Sequence, residues 1–245
     1  MRALLFTKRC LKEILRDPLT LIFGAGFPVV LLLLLSIMNK NIPAGAVNMF
    51  EIQKLLPGIV VFGFSFLSLF GGLLLSTDRE TAFLTRLFTS PLRPFDFTVG
   101  YALPLLPLGL AQALLCILLG LCFGLELSGR LALMLLLLLP TLLLFVSLGL
   151  LLGTLLNAKQ VGSLCGALLT NLSAWLSGTW FSLDLLGEGF KAFAYCLPFA
   201  NAVDAARYAL SGNLSGAIRP LLIVCGYALA SCIAAVLAFR KKMRV

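Results

Sequence analysis

The 245-residue chain contains no histidine. A His-ligated metal site and a histidine general base are both excluded, and with them the commonest hydrolase arrangements. Charge is scarce too: 12% of residues are charged, where a soluble domain carries about 25%. No glycine is followed directly by lysine. The chain therefore has no P-loop, whose lysine and backbone amides cradle nucleotide phosphates. Its seven cysteines show no CxxC spacing and imply no disulfide framework. No metal site and no catalytic residues are expected.

What the chain does have is apolar residues, 60% of the total, in uninterrupted blocks rather than an alternating pattern. Blocks of about 18 or more such residues read as membrane-spanning helices. Six are found, at 19–38, 55–76, 98–125, 131–156, 161–181 and 220–239. They are too long for barrel strands and lack the two-residue alternation of a barrel. The predicted fold is an all-α polytopic membrane protein, one transmembrane domain over residues 1–245 with six spans. Small residues at 44–46 lie where a signal-peptide cleavage site could fall. The preceding block and its 18-residue charged lead are too long for that reading, and a retained first span is expected.

The basic residues are unevenly placed. Arg2, Lys8, Arg9, Lys12, Arg16, Arg79, Arg86, Arg93, Lys159, Arg240, Lys241, Lys242 and Arg244 put 13 of 19 on one side of such a bundle. The positive-inside rule assigns that side, with both termini, to the cytoplasm of a plasma or inner membrane. The net charge of +9 is read as this topology signal, and no nucleic-acid partner is expected.

None of the six blocks contains Asp, Glu, Lys, Arg or His. Ion-coupled transporters and intramembrane enzymes usually hold such groups at bilayer depth, so both classes are disfavoured. Gln112 and Asn171 are the most polar residues there, and a helix–helix hydrogen bond is their default role. Phe62, Phe64, Phe66, Phe70, Trp175, Trp180 and Phe181 are available to line an apolar path. Phe62, Phe66, Phe70, Asn171 and Trp175 form the candidate substrate pathway. Glycine pairs four apart (Gly120–Gly124, Gly149–Gly153, Gly162–Gly166) allow close helix packing. Pro28, Pro104, Pro107 and Pro140 should kink or interrupt their spans.

Between the second and third blocks lies DRETAFLTRLFTSPLRPFDF, residues 78–97. Thr77 and Glu80 have the spacing of a capping box. Phe83, Leu84, Leu87 and Phe88 then fall on one helical stripe, with Arg79 and Arg86 off it. Ser90–Pro91 stops the helix. Such a short amphipathic helix could rest on lipid or dock as a ridge into a groove of a cytoplasmic partner.

DRETAFLTRLFTSPL resembles the E-R-E-x-G-T-x-E-R-L-x-x-[ST]-P pattern of ABC-2-type transporter permeases. Asp78, Arg79, Glu80, Arg86, Leu87, Ser90 and Pro91 match it or replace a residue conservatively. Ala82, Phe83 and Thr85 depart from it, and Thr85 lacks the family's second acid. VGYALP at 99–104 and LPFANAVDAARYALSG at 197–212 resemble further segments of multidrug-type members. The resemblance implies a permease of an ATP-driven exporter, dimeric with a second copy or a paralogue and partnered by a separate ATPase that binds ATP and Mg. The chain itself is then neither an enzyme nor a cofactor binder. Residues 78–90 would be the ATPase-coupling helix, through Asp78, Arg79, Glu80, Phe83, Leu84, Arg86, Leu87 and Phe88. Residues 1–18 would be an interfacial elbow helix on membrane lipid, with Leu4, Leu5, Leu11 and Leu15 opposite Lys8, Arg9, Lys12 and Arg16. Residues 182–219 would be re-entrant helices at an outer gate of Pro198, Asp204 and Arg207. Amphipathic or lipid-like substrates (drugs, antimicrobial peptides, lipids) suit the uncharged spans. A non-transporting scaffold or immunity-type protein, and a sodium-extruding permease, are the alternatives.

Overall fold

The computed structural model describes residues 2–41, 51–81 and 94–242, and the described residues are helical with no strand. An amphipathic helix α1 (Arg2–Arg16) leads into α2 (Pro18–Lys40). Asp17 caps the start of α2, its carboxylate accepting from the backbone amides of Leu19 and Thr20. The remaining long helices are α3 (Ile52–Glu80), α4 (Asp96–Cys122), α5 (Gly129–Leu155) and α9 (Leu214–Lys242). Between α5 and α9 lie a helical segment at 158–176, here α6, and the short helices α7 (Glu188–Cys196) and α8 (Pro198–Ser211).

Five of the six expected blocks, α2 to α5 and α9, are helices long and apolar enough to cross a membrane. The fifth block is helical over 158–176 but is built from a capped turn, an eight-residue π turn (Gly162–Leu169) and a final short helix. Ser163, Thr170, Asn171 and Ser173 dilute its apolar character, and Lys159 and Gln160 precede it in the same helical segment. Prolines act at two of the four expected places. Pro28 follows a π turn at Ile22–Gly26, and Pro104 stands at the break between Ala102 and Leu105. Pro140 lies within continuous α5.

The core is built around α3. In its most apolar stretch 72% of residues are buried, against 28% in α2 and 22% in α9. Helix α3 packs on α5, α4, α2, α6 and α8. The glycine pair Gly149–Gly153 of α5 faces Ser68 and Gly72 of α3. A methyl group on Gly149 would lie 2.6 Å from the Ser68 Cα, and one on Gly153 2.9 Å from the Gly72 Cα. This pair is therefore spent on packing within the chain. Gly162 has open space around it, and Gly124 serves a left-handed turn after α4 at φ 93°.

Helix α1 docks against α4. Phe6, Cys10 and Ile14 are buried, the Phe6 ring standing edge-on to Tyr101 and Phe97 of α4 at 4.9 and 5.6 Å. Leu15 is 55% exposed and Leu11 half-buried, while the side chains of Leu4 and Leu5 lie outside the described residues. The stripe at i, i+4 and i+8 faces the bundle, where α4 offers Phe6 aromatic partners, and Leu15 is left facing outward.

Candidate functional site

At the C-terminal end of α3, three successive residues reach three different parts of the fold. Asp78 is buried, 5% exposed. Its two carboxylate oxygens accept from Arg9 Nη1 at 2.5 Å and Nη2 at 2.9 Å, and the Tyr101 hydroxyl donates to it at 2.7 Å. This forked pairing is the geometry for which a guanidinium is suited. It holds Arg9 above its ordinary pKa, chiefly through the hydrogen bond to Asp78. Arg9 also pairs with Glu13 at 2.9 Å. Burial raises the Glu13 carboxyl and pushes the Cys10 thiol up to about 12, so Cys10 packs as an inert thiol.

Arg79 turns to the end of α5. Its Nη1 donates to the carbonyl of Gly153 at 2.8 Å, to that of Leu156 at 3.3 Å, and to Thr154. The last carbonyls of a helix have no partner within the helix, and a cation is favoured beside them. Glu80 does the opposite. Its Oε1 accepts from the Ala158 amide at 2.7 Å, an anion at the start of α6, where Asn157 and Gln160 cap each other. Asp78, Arg79 and Glu80 thus tie the end of α3 to α1 and α4, to α5, and to α6.

The expected capping box at Thr77 is corrected by this geometry. Helix α3 runs unbroken through Glu80 and ends at Thr81 in extended backbone, φ −84° and ψ 155°. No box forms at Thr77 because that residue lies inside α3 and starts no helix; the Glu80 carboxylate instead reaches Ala158. Phe83, Leu84, Arg86, Leu87 and Phe88 lie outside the described residues.

Along the flank of α3, Phe62, Asn171, Ala174, Trp175, Trp180 and Phe181 line a groove of about 450 Å³. Phe62 stands edge-on to Phe66 and Trp180, at 5.4 and 5.9 Å. Three of the five expected pathway residues, Phe62, Asn171 and Trp175, meet in this groove, with Phe66 in ring contact. Phe70 instead packs by Gly24 of α2, and Phe64 is buried in the core. Asn171 donates to the Ala167 carbonyl of its own helix at 2.6 Å. Gln112 is fully buried, with an amide contact to the Cys116 sulfur and an unpartnered carbonyl oxygen.

At the other end of α3 a polar cavity of about 580 Å³ opens among α3, the 177–184 turn, α7 and α8. Arg207 of α8 braces it, donating to the Lys54 carbonyl at 3.1 Å and to the Gly178 carbonyl at 3.0 Å. Its partner Asp204 lies 3.8 Å away and accepts from the Tyr195 hydroxyl at 2.6 Å. Burial raises the Asp204 carboxyl and lowers Arg207, outweighing their mutual attraction. Lys191 and Asp184 pair at 2.5 Å on the rim and are each held in the charged form by the other. Pro198 starts α8 and is buried, away from the cavity lining.

Among the described residues no cluster of three or more metal-ligating side chains occurs. The built features are a knot of charged bonds at one end of α3, an aromatic groove beside it, and a braced polar cavity at the other end. Residues 2–211 match the family model of the ABC-2 type transporter. The chain belongs to that family. No curated protein matches it. The matched region takes in the knot, the groove and the polar cavity, so all three belong to the membrane domain of an ABC-type transporter, a multi-pass membrane permease. Arg9 and Tyr101, which hold Asp78, carried no signal of that role in the sequence beyond being a cation and a phenol in a chain poor in both.

Proposed function

We propose that this ABC-2 permease is the membrane subunit of an ATP-driven exporter, powered by a separate ATPase that seats on residues 78–90. The observation that carries the reading is the knot at Asp78–Arg79–Glu80. A push on the chain just beyond Thr81 reaches α1, α4, α5 and α6 through charged hydrogen bonds rather than through loose side chains, and rigid coupling of this kind is what alternating access requires. Nucleotide and Mg belong to the ATPase, and the permease itself carries out no chemistry. In this reading α6 completes the six spans, both termini are cytoplasmic, α7 and α8 form the re-entrant outer gate, and two permeases pair around the path. The aromatic groove at Phe62, Trp175 and Trp180 favours an amphipathic or lipid-like substrate over an ion or a sugar.

The test is substitution on the predicted stripe. Phe83→Asp and Leu87→Asp are expected to abolish co-purification of the ATPase while leaving membrane insertion unchanged. Full retention of the ATPase by both variants would refute the docking role.

A further inference from the structure

The exposed side of α1 carries a feature that the knot does not use. Lys8, Lys12 and Arg16 recur every fourth residue and are all exposed. They occupy the side of the helix away from buried Phe6, Cys10 and Ile14. The three cations line an open concavity of about 850 Å³ with Arg9, Glu13, Asp17 and Pro18. Both of its carboxylates have partners other than these three cations. Glu13 pairs with Arg9 at 2.9 Å, and Asp17 caps the amides of Leu19 and Thr20 at 3.1 and 3.3 Å. Lys8, Lys12 and Arg16 make no ion pair among the described residues, and with four cations against two carboxylates the lining is net positive.

Its position is set by covalent geometry. Asp17–Pro18 joins α1 directly to membrane helix α2, which holds the stripe at the membrane boundary. Leu15 beside the stripe and Leu19 just beyond it are 55% and 59% exposed. An apolar edge next to a row of cations is the arrangement that takes acyl chain on one side and phosphate on the other.

We propose that Lys8, Lys12 and Arg16 form a binding site for the headgroup of an anionic phospholipid, with Leu15 and Leu19 against its acyl chains. Charge complementarity selects the occupant: an anionic headgroup offsets the net positive charge of the lining, and a zwitterionic one does not. The inference rests on the membrane assignment and not on the ATPase, so a failed ATPase pull-down leaves it standing.

The experiment is native mass spectrometry of the full chain released from nanodiscs of equal phosphatidylglycerol and phosphatidylcholine. The wild type is expected to retain phosphatidylglycerol preferentially. Each of Lys8→Gln, Lys12→Gln and Arg16→Gln should weaken that retention about fivefold, from the typical strength of one surface cation at an anionic membrane, and the triple variant should show no preference. The single variants keep the test readable should the triple variant fail to fold. Lys241→Gln/Lys242→Gln, which removes exposed cations at the far end of the chain, should leave the preference intact. Inorganic phosphate should not displace the lipid. Retained preference in the triple variant overturns the proposal. So does displacement by inorganic phosphate, or loss of ATPase co-purification with lipid retention unchanged, which would make an acidic protein surface the occupant.

Discussion

Asp78 is the residue on which most of the fold's polar organisation converges. A buried carboxylate keeps its charge only if its lone pairs are filled, and here two guanidinium bonds and a phenol fill them. Removing either partner should therefore be felt as stability. Arg9→Ala and Asp78→Asn are each expected to lose about 1.5–3 kcal/mol, the range for hydrogen bonds to charged groups, read as a drop in thermal midpoint in detergent. The exchange Arg9→Asp with Asp78→Arg should recover part of the loss, and no recovery would show that packing around the pair, rather than the pair, is what matters. Asp204 at the opposite end of α3 is governed by burial instead. Its carboxyl is raised above the ordinary range by desolvation, despite Tyr195 and Arg207. The folded chain thus holds that proton more tightly than the unfolded chain does. The stabilising contribution is present at acid pH and is lost as pH rises through the folded pKa. Asp204→Asn should flatten the midpoint-against-pH curve just above the usual carboxylate range, near pH 4 and upward. An unchanged curve would place the titration elsewhere.

Among the elements, α3 and α5 define the bundle. Their backbones approach so closely at Gly149 and Gly153 that no side chain fits, and such small-residue contacts are a main source of helix association in lipid. Gly149→Ala is expected to cost about 1–3 kcal/mol, as overpacking does. Gly162→Ala, with nothing within 4 Å of its added methyl, should stay within about 0.5 kcal/mol of the parent. Equal midpoints for the two variants would remove the special role of the α3–α5 contact. A single polar bond reinforces the neighbouring pair, Ser147 of α5 to Ser231 of α9 at 2.5 Å.

The long helices were legible because an apolar block has no stable alternative in lipid. The knot was not legible, for a physical reason. Arg9 lies 69 positions from Asp78, Tyr101 lies 23 away, and the Ala158 amide lies 78 from Glu80. Local spacing favoured a capping box at Thr77, but α3 runs on through that position to Glu80, whose carboxylate reaches the Ala158 amide. The docking face of α1 was hidden in the same way, since Phe6 meets Phe97 and Tyr101 of α4.

At the scale of the whole molecule, α3 is the member that joins the two ends. Its 29 residues span roughly 43 Å at 1.5 Å per residue, from the braced cavity at Lys54 and Arg207 to the knot at Asp78–Glu80. In the proposed function, α3 is the largely buried helix that would carry a displacement from beyond Thr81 to the far end, with the aromatic groove alongside. That mechanical reading requires an engine, and the chain has no P-loop of its own. The most direct measurement is a mild-detergent pull-down of the tagged chain from its native membrane, with partners identified by mass. The account predicts an abundant P-loop ATPase whose recovery falls away in Phe83→Asp and Leu87→Asp. Recovery of the chain alone, or with other membrane proteins only, would contradict it.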